Sequence, residues 1–131
     1  MNLFVRYWKF NLVGAMGAAV QLTTLAILNR VVPGHYLYAT AIAIEITLLH
    51  NFAWHIRYTW RERRDNSRRL TQLMRFHLSN GLVSIFGNLA LMHLFVHQMH
   101  LPVVAANAVA ILCCSIINFC LGNIWAFALP P

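Results

Sequence analysis

Acidic residues are scarce in this chain. Only three of its 131 residues are Asp or Glu, and charged residues of both signs make up 10%. A soluble domain carries about 25% charged residues. Because so few charges cannot cover a water-exposed surface, the composition excludes an ordinary soluble globular protein.

Several catalytic motifs are also missing. The sequence has no G-x-x-x-x-G-K-[ST] stretch for ATP phosphates, and Glu62 and Asp65 lie among arginines rather than as a pair suited to metal-assisted sugar transfer. No Ser-His-Asp set is evident, and no cofactor is predicted. The cysteines Cys113, Cys114 and Cys120 lack metal-site spacing and are interpreted as small apolar packing residues. We therefore expect that the chain is not an enzyme by itself.

Long apolar runs are what the chain has instead. Hydrophobic residues make up 60% of it, and its mean hydropathy is +0.59. A membrane-spanning helix needs about 20 mainly apolar residues. The sequence therefore predicts an all-α integral membrane four-helix protein, with a single transmembrane domain over residues 1–131. The four predicted spans are Tyr7–Leu28, Tyr36–Ile56, Leu73–Val96 and Leu101–Leu121.

Basic residues are concentrated in one stretch. Seven of the ten Lys and Arg lie between Arg57 and Arg75, and Arg6 and Lys9 flank the start of the first span. By the positive-inside rule, the second connection and both termini are expected in the cytoplasm of a bacterial inner membrane. The net charge of +7 is interpreted as a basic collar beside anionic membrane lipid, so no nucleic-acid partner is predicted.

The two halves of the chain resemble each other. An opening block, KFNLVG at Lys9 and RFHLSNG at Arg75, starts each half, and a closing block, NFAWHIRYTW at Asn51 and NFCLGNIWAF at Asn118, ends it. The offset is 66 residues between the opening blocks and 67 between the closing blocks. Two spans per copy predict two parallel repeats, with the shared Asn-Phe and aromatic positions belonging to the fold. The predicted parts are repeat 1 at about 7–60, a basic cytoplasmic loop at about 61–72 and repeat 2 at about 73–127.

These doubled blocks resemble the GtrA-like family of small four-helix membrane proteins. The resemblance rests on a first helix beginning K/R-F-x-x-V/S-G and a second ending N-F-x5-aromatic-x-aromatic, both present twice. It implies movement of a polyprenyl-phosphate-linked sugar across the membrane for cell-surface polysaccharide synthesis or modification, with a membrane glycosyltransferase as partner. Tyr58, Trp60 and Asn123 depart from the family pattern, which bears on the substrate more than on the fold.

Two other functions fit the same residues. The chain is alternatively a non-transporting subunit that anchors or stabilises a membrane glycosyltransferase, or a small proton-coupled exporter that uses Glu45. Because 131 residues enclose a small interior, a homo-oligomer or a complex with the glycosyltransferase is expected to complete a transport path.

The polar stretch that ends the second span is the predicted phosphate site. At 100° per residue, its polar and aromatic side chains fall within one arc of about 160°, with Glu45 on the other side. Arg57 would supply bidentate donors to phosphate, and Arg75 would close the site. The alternative is an interfacial aromatic belt with snorkelling arginines, which is our interpretation of Trp60 and residues 61–69. The predicted phosphate- or sugar-binding residues are Arg57, His50, Asn51, His55, Arg75 and Trp54.

Glu45 is the only acidic residue within a predicted span. It lies roughly 18 Å from the cytoplasmic edge at 1.5 Å per residue, and Gln21 and Asn88 lie near the same depth. We expect these three to share one level of the bundle interior, with Asn118 as a further mid-membrane polar residue. They form either a site for sugar hydroxyls or a proton, or a polar clamp between helices. Asn51 and Asn118 are alternatively structural groups that bond to the other repeat.

Histidines cluster at the outer end of the third span. His93 and His97 are one helical turn apart, and His100 follows. A metal site needs three or four converging ligands, so we interpret these residues as interfacial polar groups and predict no metal.

Overall fold

The structure is a computed structural model that describes residues 1–131, apart from the side chains of Tyr36, Leu37, Val103, Val104 and Asn107. Every regular element that it describes is helical. The chain divides into two compact units, Met1–Arg64 and Asp65–Pro131, and each contains one helical hairpin. The division falls inside the predicted basic loop.

The first unit contains helices α1 (Leu3–Val31) and α2 (Tyr36–Trp54). The side chain of Asn2 caps α1 by accepting a hydrogen bond from the backbone N–H of Phe4 at 3.0 Å, which satisfies a donor without an intrahelical partner. Gly34 turns the chain between the helices with φ +87°, a value that suits a residue without Cβ. Helix α1, at Leu3–Val31, extends beyond both ends of its predicted span, Tyr7–Leu28.

The second unit contains two helical rods. The first begins with α3 (Arg69–Leu82) and continues through a π-helical turn at Val83–Gly87 into α4 (Asn88–His93). It ends in a second π-helical turn at Leu94–Gln98. The second rod is α5 (Val103–Leu121). Because α3 begins at Arg69, residues 69–72 of the predicted basic loop are helical, and the connection is shorter than predicted.

Each hairpin ends in a π-helical turn, His55–Thr59 after α2 and Gly122–Ala126 after α5. The Trp60 N–H donates to the His55 carbonyl at 2.8 Å, and the Phe127 N–H donates to the Gly122 carbonyl at 2.9 Å. The two turns are 67 residues apart, which is the offset of the closing blocks. The sequence repeat is therefore also a repeat of local backbone geometry.

Each hairpin has its own small core. Helices α1 and α2 pack through Val13, Ala39 and Ala43, and α5 contributes Ala106 and Ala110 to the second hairpin. Small side chains allow helices to approach closely. The block end, defined here as the end of each hairpin where the opening and closing blocks lie, is filled instead by large side chains: Phe10, Phe52 and Trp60 in the first unit, and Phe76, Phe119 and Phe127 in the second.

The outward faces of the helices are apolar. Leu22 and Phe86 are examples, with 68% and 64% of their surface exposed. Among the described residues, three helices are long and apolar enough to cross a membrane, Leu3–Val31, Asn66–Gln98 and Ala108–Ala126. Helix α2 carries polar residues near its end and is not among these three. A water-exposed surface of this kind would not be stable, and the chain is an integral membrane protein.

Candidate anion-binding site

The opening and closing blocks contact each other in both hairpins. In the first, the Lys9 Nζ lies 4.5 Å from the centre of the Tyr58 ring. In the second, the Arg75 guanidinium carbon lies 5.8 Å from the centre of the Trp125 ring. These are cation–π distances. They pair the basic residue of each opening block with the first of the two aromatics that follow the N-F-x5 stretch of its closing block.

The second aromatic of each closing block packs on the opening-block phenylalanine. The ring centres of Phe10 and Trp60 are 6.0 Å apart, and those of Phe76 and Phe127 are 5.9 Å apart. Trp60 is fully buried. Its expected place in an interfacial aromatic belt is therefore wrong, because the ring fills the block end of its own hairpin.

A cleft of about 480 Å³ opens at the block end of the first unit. Three of its six lining side chains are basic, and one is acidic, so the cleft has the charge to bind an anion. We call it the basic cleft. Its lining residues are Met1, Lys9, Arg57, Tyr58, Arg61 and Glu62.

Arg57 is the predicted phosphate-binding residue that lies in the basic cleft. It is exposed, and its Nη1 makes one long contact of 3.5 Å with the Ala53 carbonyl oxygen. Among the described residues, no carboxylate forms an ion pair with Arg57. Its guanidinium is thus free to bind a phosphate with two donors.

Glu62 is a cleft residue that the sequence did not single out. Its carboxylate forms an ion pair with the guanidinium of Arg6, a residue buried in α1. Partial burial acts to raise the pKa of Glu62, but hydrogen bonds from its own backbone and from Arg6, together with the charge of Arg6, place the pKa below its ordinary value. Glu62 is consequently ionised at neutral pH. An acid among arginines, two residues after the last aromatic of the closing block, was the available signal.

Asn51 lies on the face of α2 that meets α1, and His50 is bonded to it. His50 Nδ1 is hydrogen-bonded to Asn51 Oδ1 at 3.1 Å, and a Cβ built on Gly17 of α1 would lie 2.6 Å from Asn51 Nδ2. Trp54 is 43% exposed, with its ring centre 6.3 Å from that of His50. These three predicted site residues are therefore neighbours, but none of them lines the basic cleft.

His55 faces the core. It is 1% exposed, its ring stacks on Phe10 with centres 4.9 Å apart, and its Nδ1 is hydrogen-bonded to the Thr59 hydroxyl at 2.9 Å. The π-helical turn adds one residue to the turn of helix, so the predicted arc at 100° per residue does not continue past Trp54. This packing favours a structural role for His55.

Arg75 lies at the block end of the second unit. Its Nη1 donates to the Trp125 carbonyl oxygen at 3.3 Å. A cleft of about 300 Å³ adjoins it, lined also by Arg68 and by residues 128–131. The predicted role of Arg75, closing a site with Arg57, remains a prediction.

The mid-membrane polar residues have different surroundings. Glu45 is exposed on α2, whereas Ala43 and Thr47 are buried. Gln21 is half-buried. The side-chain oxygens of Asn88 and Asn118 are buried without a hydrogen-bond partner among the described residues. The expectation that Glu45, Gln21 and Asn88 share one level of the bundle interior remains a prediction. Within the first hairpin, Glu45 lies on an exposed face of α2 and not in the interior.

Two histidines of the second unit, His93 and His97, have their rings close together, with the ring planes tilted by 43°. The ring centres of His93 and His97 are 4.9 Å apart. In the part of the chain that the structure describes, no group of three or more His, Cys, Asp or Glu residues is arranged to hold a metal ion.

Comparison with known proteins identifies one related family. The family model described as GtrA/DPMS, transmembrane domain, matches residues 9–127. The match begins at the basic residue of the first opening block and ends at the second aromatic of the second closing block. No curated protein and no solved structure matches the chain.

Proposed function

The chain belongs to the family of the GtrA/DPMS transmembrane domain, and from this premise we propose that it moves a polyprenyl-phosphate-linked sugar between the leaflets of a bacterial inner membrane. The sugar then serves cell-surface polysaccharide synthesis or modification. In this proposal the basic connection and both termini lie in the cytoplasm, and the chain has no catalytic activity of its own.

The basic cleft is the observation that carries the proposal. It places Lys9, Arg57 and Arg61 around one space at the end of a hydrophobic hairpin. A polyprenyl-phosphate-linked sugar needs this combination, because its phosphate requires cations at the interface while its tail stays in lipid. The guanidinium of Arg57, which forms no ion pair with the carboxylates that the structure describes, is the group best suited to the phosphate.

The energy for movement comes from outside the chain, because the sequence has no motif for ATP binding. Movement is then passive, downhill or coupled to an ion gradient. The first hairpin encloses little polar space above the cleft, since Val13, Ala39 and Ala43 fill its interior. A homo-oligomer, or a complex with the membrane glycosyltransferase that makes the lipid-linked sugar, would complete the path.

Reconstitution into vesicles tests this function. Wild-type protein is expected to move a fluorescent short-chain polyprenyl-phosphate-linked sugar between leaflets, and Arg57→Ala is expected to slow this about tenfold or more, the loss of one charge-assisted bidentate contact. Arg64→Ala is the matched control, because Arg64 is exposed in the same connection and does not line the cleft. Equal slowing by both variants would contradict the site, and no movement by wild type would contradict the function.

A glycosyltransferase subunit without transport is the second candidate. The exposure of Glu45 on α2 favours it, because an ionisable side chain within a span normally faces protein or water rather than lipid. In this case the vesicles show no movement, while the partner enzyme loses activity when the chain is absent.

A proton-coupled exporter is the third candidate, with Glu45 as the proton carrier. It predicts that cells producing the protein resist lipophilic cations and that Glu45→Gln abolishes this resistance. Polyprenyl-phosphate transport predicts no such resistance.

A further inference from the structure

Glu62 is an acidic residue in a cleft that otherwise attracts anions. The basic cleft is lined by the cations of Lys9, Arg57 and Arg61 and by the single carboxylate of Glu62. A carboxylate at this place weakens the binding of every anion, so a site evolved only for strong phosphate binding would not include it.

The ion pair with Arg6 holds this carboxylate in place. Arg6 is buried, with 8% of its side-chain surface exposed, whereas Glu62 retains 39%. Arg6 does not line the cleft, and Glu62 does. A ligand in the cleft therefore meets the carboxylate before the guanidinium, and the field that it experiences from the pair is repulsive.

Repulsion by one fixed charge depends on the charge of the ligand. A phosphodiester carries one negative charge, whereas a phosphate monoester carries about 1.5 to 2 at neutral pH because its second pKa is near 6. The same carboxylate thus penalises a monoester more strongly than a diester. The attached sugar converts one form of the lipid into the other, since it esterifies the terminal phosphate.

We propose that Glu62 shifts the selectivity of the basic cleft toward phosphodiesters, so that the free polyprenyl phosphate competes less strongly with the sugar-loaded lipid than it would in a purely basic cleft. This inference rests on the proposed function. It assigns Glu62 a specificity role and leaves the attraction of phosphate to the basic side chains.

Binding measurements in detergent test the selection. The probes are farnesyl phosphate and its methyl ester, which share a tail and differ by one methyl group and one ionisation. Wild-type protein is expected to bind both probes. Glu62→Gln should strengthen binding of both, with a gain in log affinity for the monoester about 1.5 to 2 times that for the diester. The ratio of affinities then shifts by about threefold to tenfold toward the monoester.

The control is Asp65→Asn. It removes one negative charge from the same connection. The Asp65 carboxylate accepts a hydrogen bond from the Ser67 backbone N–H at 2.9 Å, and Asp65 does not line the cleft. It should leave the ratio of affinities unchanged. Partial unfolding of Glu62→Gln lowers both affinities by one factor and does not change their ratio, so the readout survives a loss of stability.

Lowering the pH tests the wild-type chain. From about pH 7.5 to about pH 5, farnesyl phosphate loses most of its second charge. The groups facing Glu62 are the amino terminus and the side chains of Arg6, Lys9, Arg57, Tyr58, Arg61 and Arg63. The two probes are expected to bind with more similar affinities at the lower pH, because both then carry about one charge.

Three outcomes separate the proposals. An unchanged ratio in Glu62→Gln overturns the selection by Glu62 and leaves the phosphate site intact. Binding of neither probe overturns the site itself. Equal binding of short-chain phosphatidylglycerol and the farnesyl methyl ester assigns the cleft to ordinary phospholipid and overturns its role in carrying the lipid-linked sugar.

Discussion

Gly17 has no room for a side chain. It is buried in α1, and a Cβ built there would lie 2.6 Å from Asn51 Nδ2 and 2.8 Å from Asn51 Cγ. Asn51 corresponds to Asn118 in the second repeat. Gly17 has no such counterpart, because the residues 66 and 67 positions after it are Val83 and Ser84. The close approach of α1 to the Asn51 amide therefore depends on a residue that only the first half contains.

Substitution of Gly17 should be costly for this reason. We expect Gly17→Ala to lower the free energy of unfolding by about 1–3 kcal/mol, since the added methyl group displaces the Asn51 amide. Gly14→Ala is the matched control, because a Cβ there meets nothing within 4 Å, and it should be neutral or slightly stabilising. Unfolding in mixed detergent micelles measures both.

Asn51 supplies a further check on this contact. Combining Gly17→Ala with Asn51→Ala should cost less than the sum of the single changes, because the second change removes the group that clashes. Additive costs would show that the methyl group is accommodated in some other way.

Single polar residues also show which contacts a helical wheel does not predict. Arg57 was expected to bind phosphate and does lie in a basic cleft, although its role there remains a prediction. Arg6 was expected only to flank the first span, and its ion pair with Glu62 was not foreseen. The two residues are 56 positions apart, and a contact of that separation depends on how the hairpin closes rather than on any local pattern.

The π-helical turns explain the closing blocks at the scale of elements. In a regular α-helix the residues after Trp54 and Leu121 would follow 100° steps. The wider turn changes that progression, so Trp60 and Phe127 come to lie against Phe10 and Phe76. The spacing N-F-x5-aromatic-x-aromatic thus encodes a turn in which one aromatic faces a cation and the next enters the core.

Trp60 should consequently stabilise the first hairpin far more than Trp54. Trp60→Ala is expected to lower the free energy of unfolding by about 3–5 kcal/mol, as for other large core side chains. Trp54→Ala, on an exposed face of α2, should cost about 1 kcal/mol or less. Titration with a denaturing detergent distinguishes the two. Equal costs would mean that Trp60 contributes as an interfacial anchor and not as a core residue.

The distribution of charge determines the expected orientation of the whole molecule. Seven of ten basic residues lie between Arg57 and Arg75, and this excess predicts that the connection between the two units is cytoplasmic. The short turn at Pro33-Gly34 would then face the opposite side of the membrane.

Thiol labelling tests this orientation. In a chain whose three native cysteines are replaced by Ser, a membrane-impermeant reagent should label Val32→Cys in intact cells. It should label Asn66→Cys only after the inner membrane is permeabilised, because that residue lies in the basic connection. The reverse pattern would contradict the proposed orientation, and with it the placement of the basic cleft at the cytoplasmic face.

The sequence by itself determined the class, the two hairpins and the family of this protein. These follow from apolar runs of membrane length and from blocks repeated at a near-constant offset, both of which are local properties of the chain. The tertiary structure decided which side chains meet. The burial of Trp60 and His55 and the Arg6–Glu62 pair depend on how α1 packs against the turn after α2 and the residues that follow it. The contact of Asn51 with Gly17 depends on the packing of α1 against α2 itself. They could not be read from the chain, because contacts between residues far apart in sequence depend on how the hairpin closes, and because the π-helical turn gives the side chains after Trp54 a new direction.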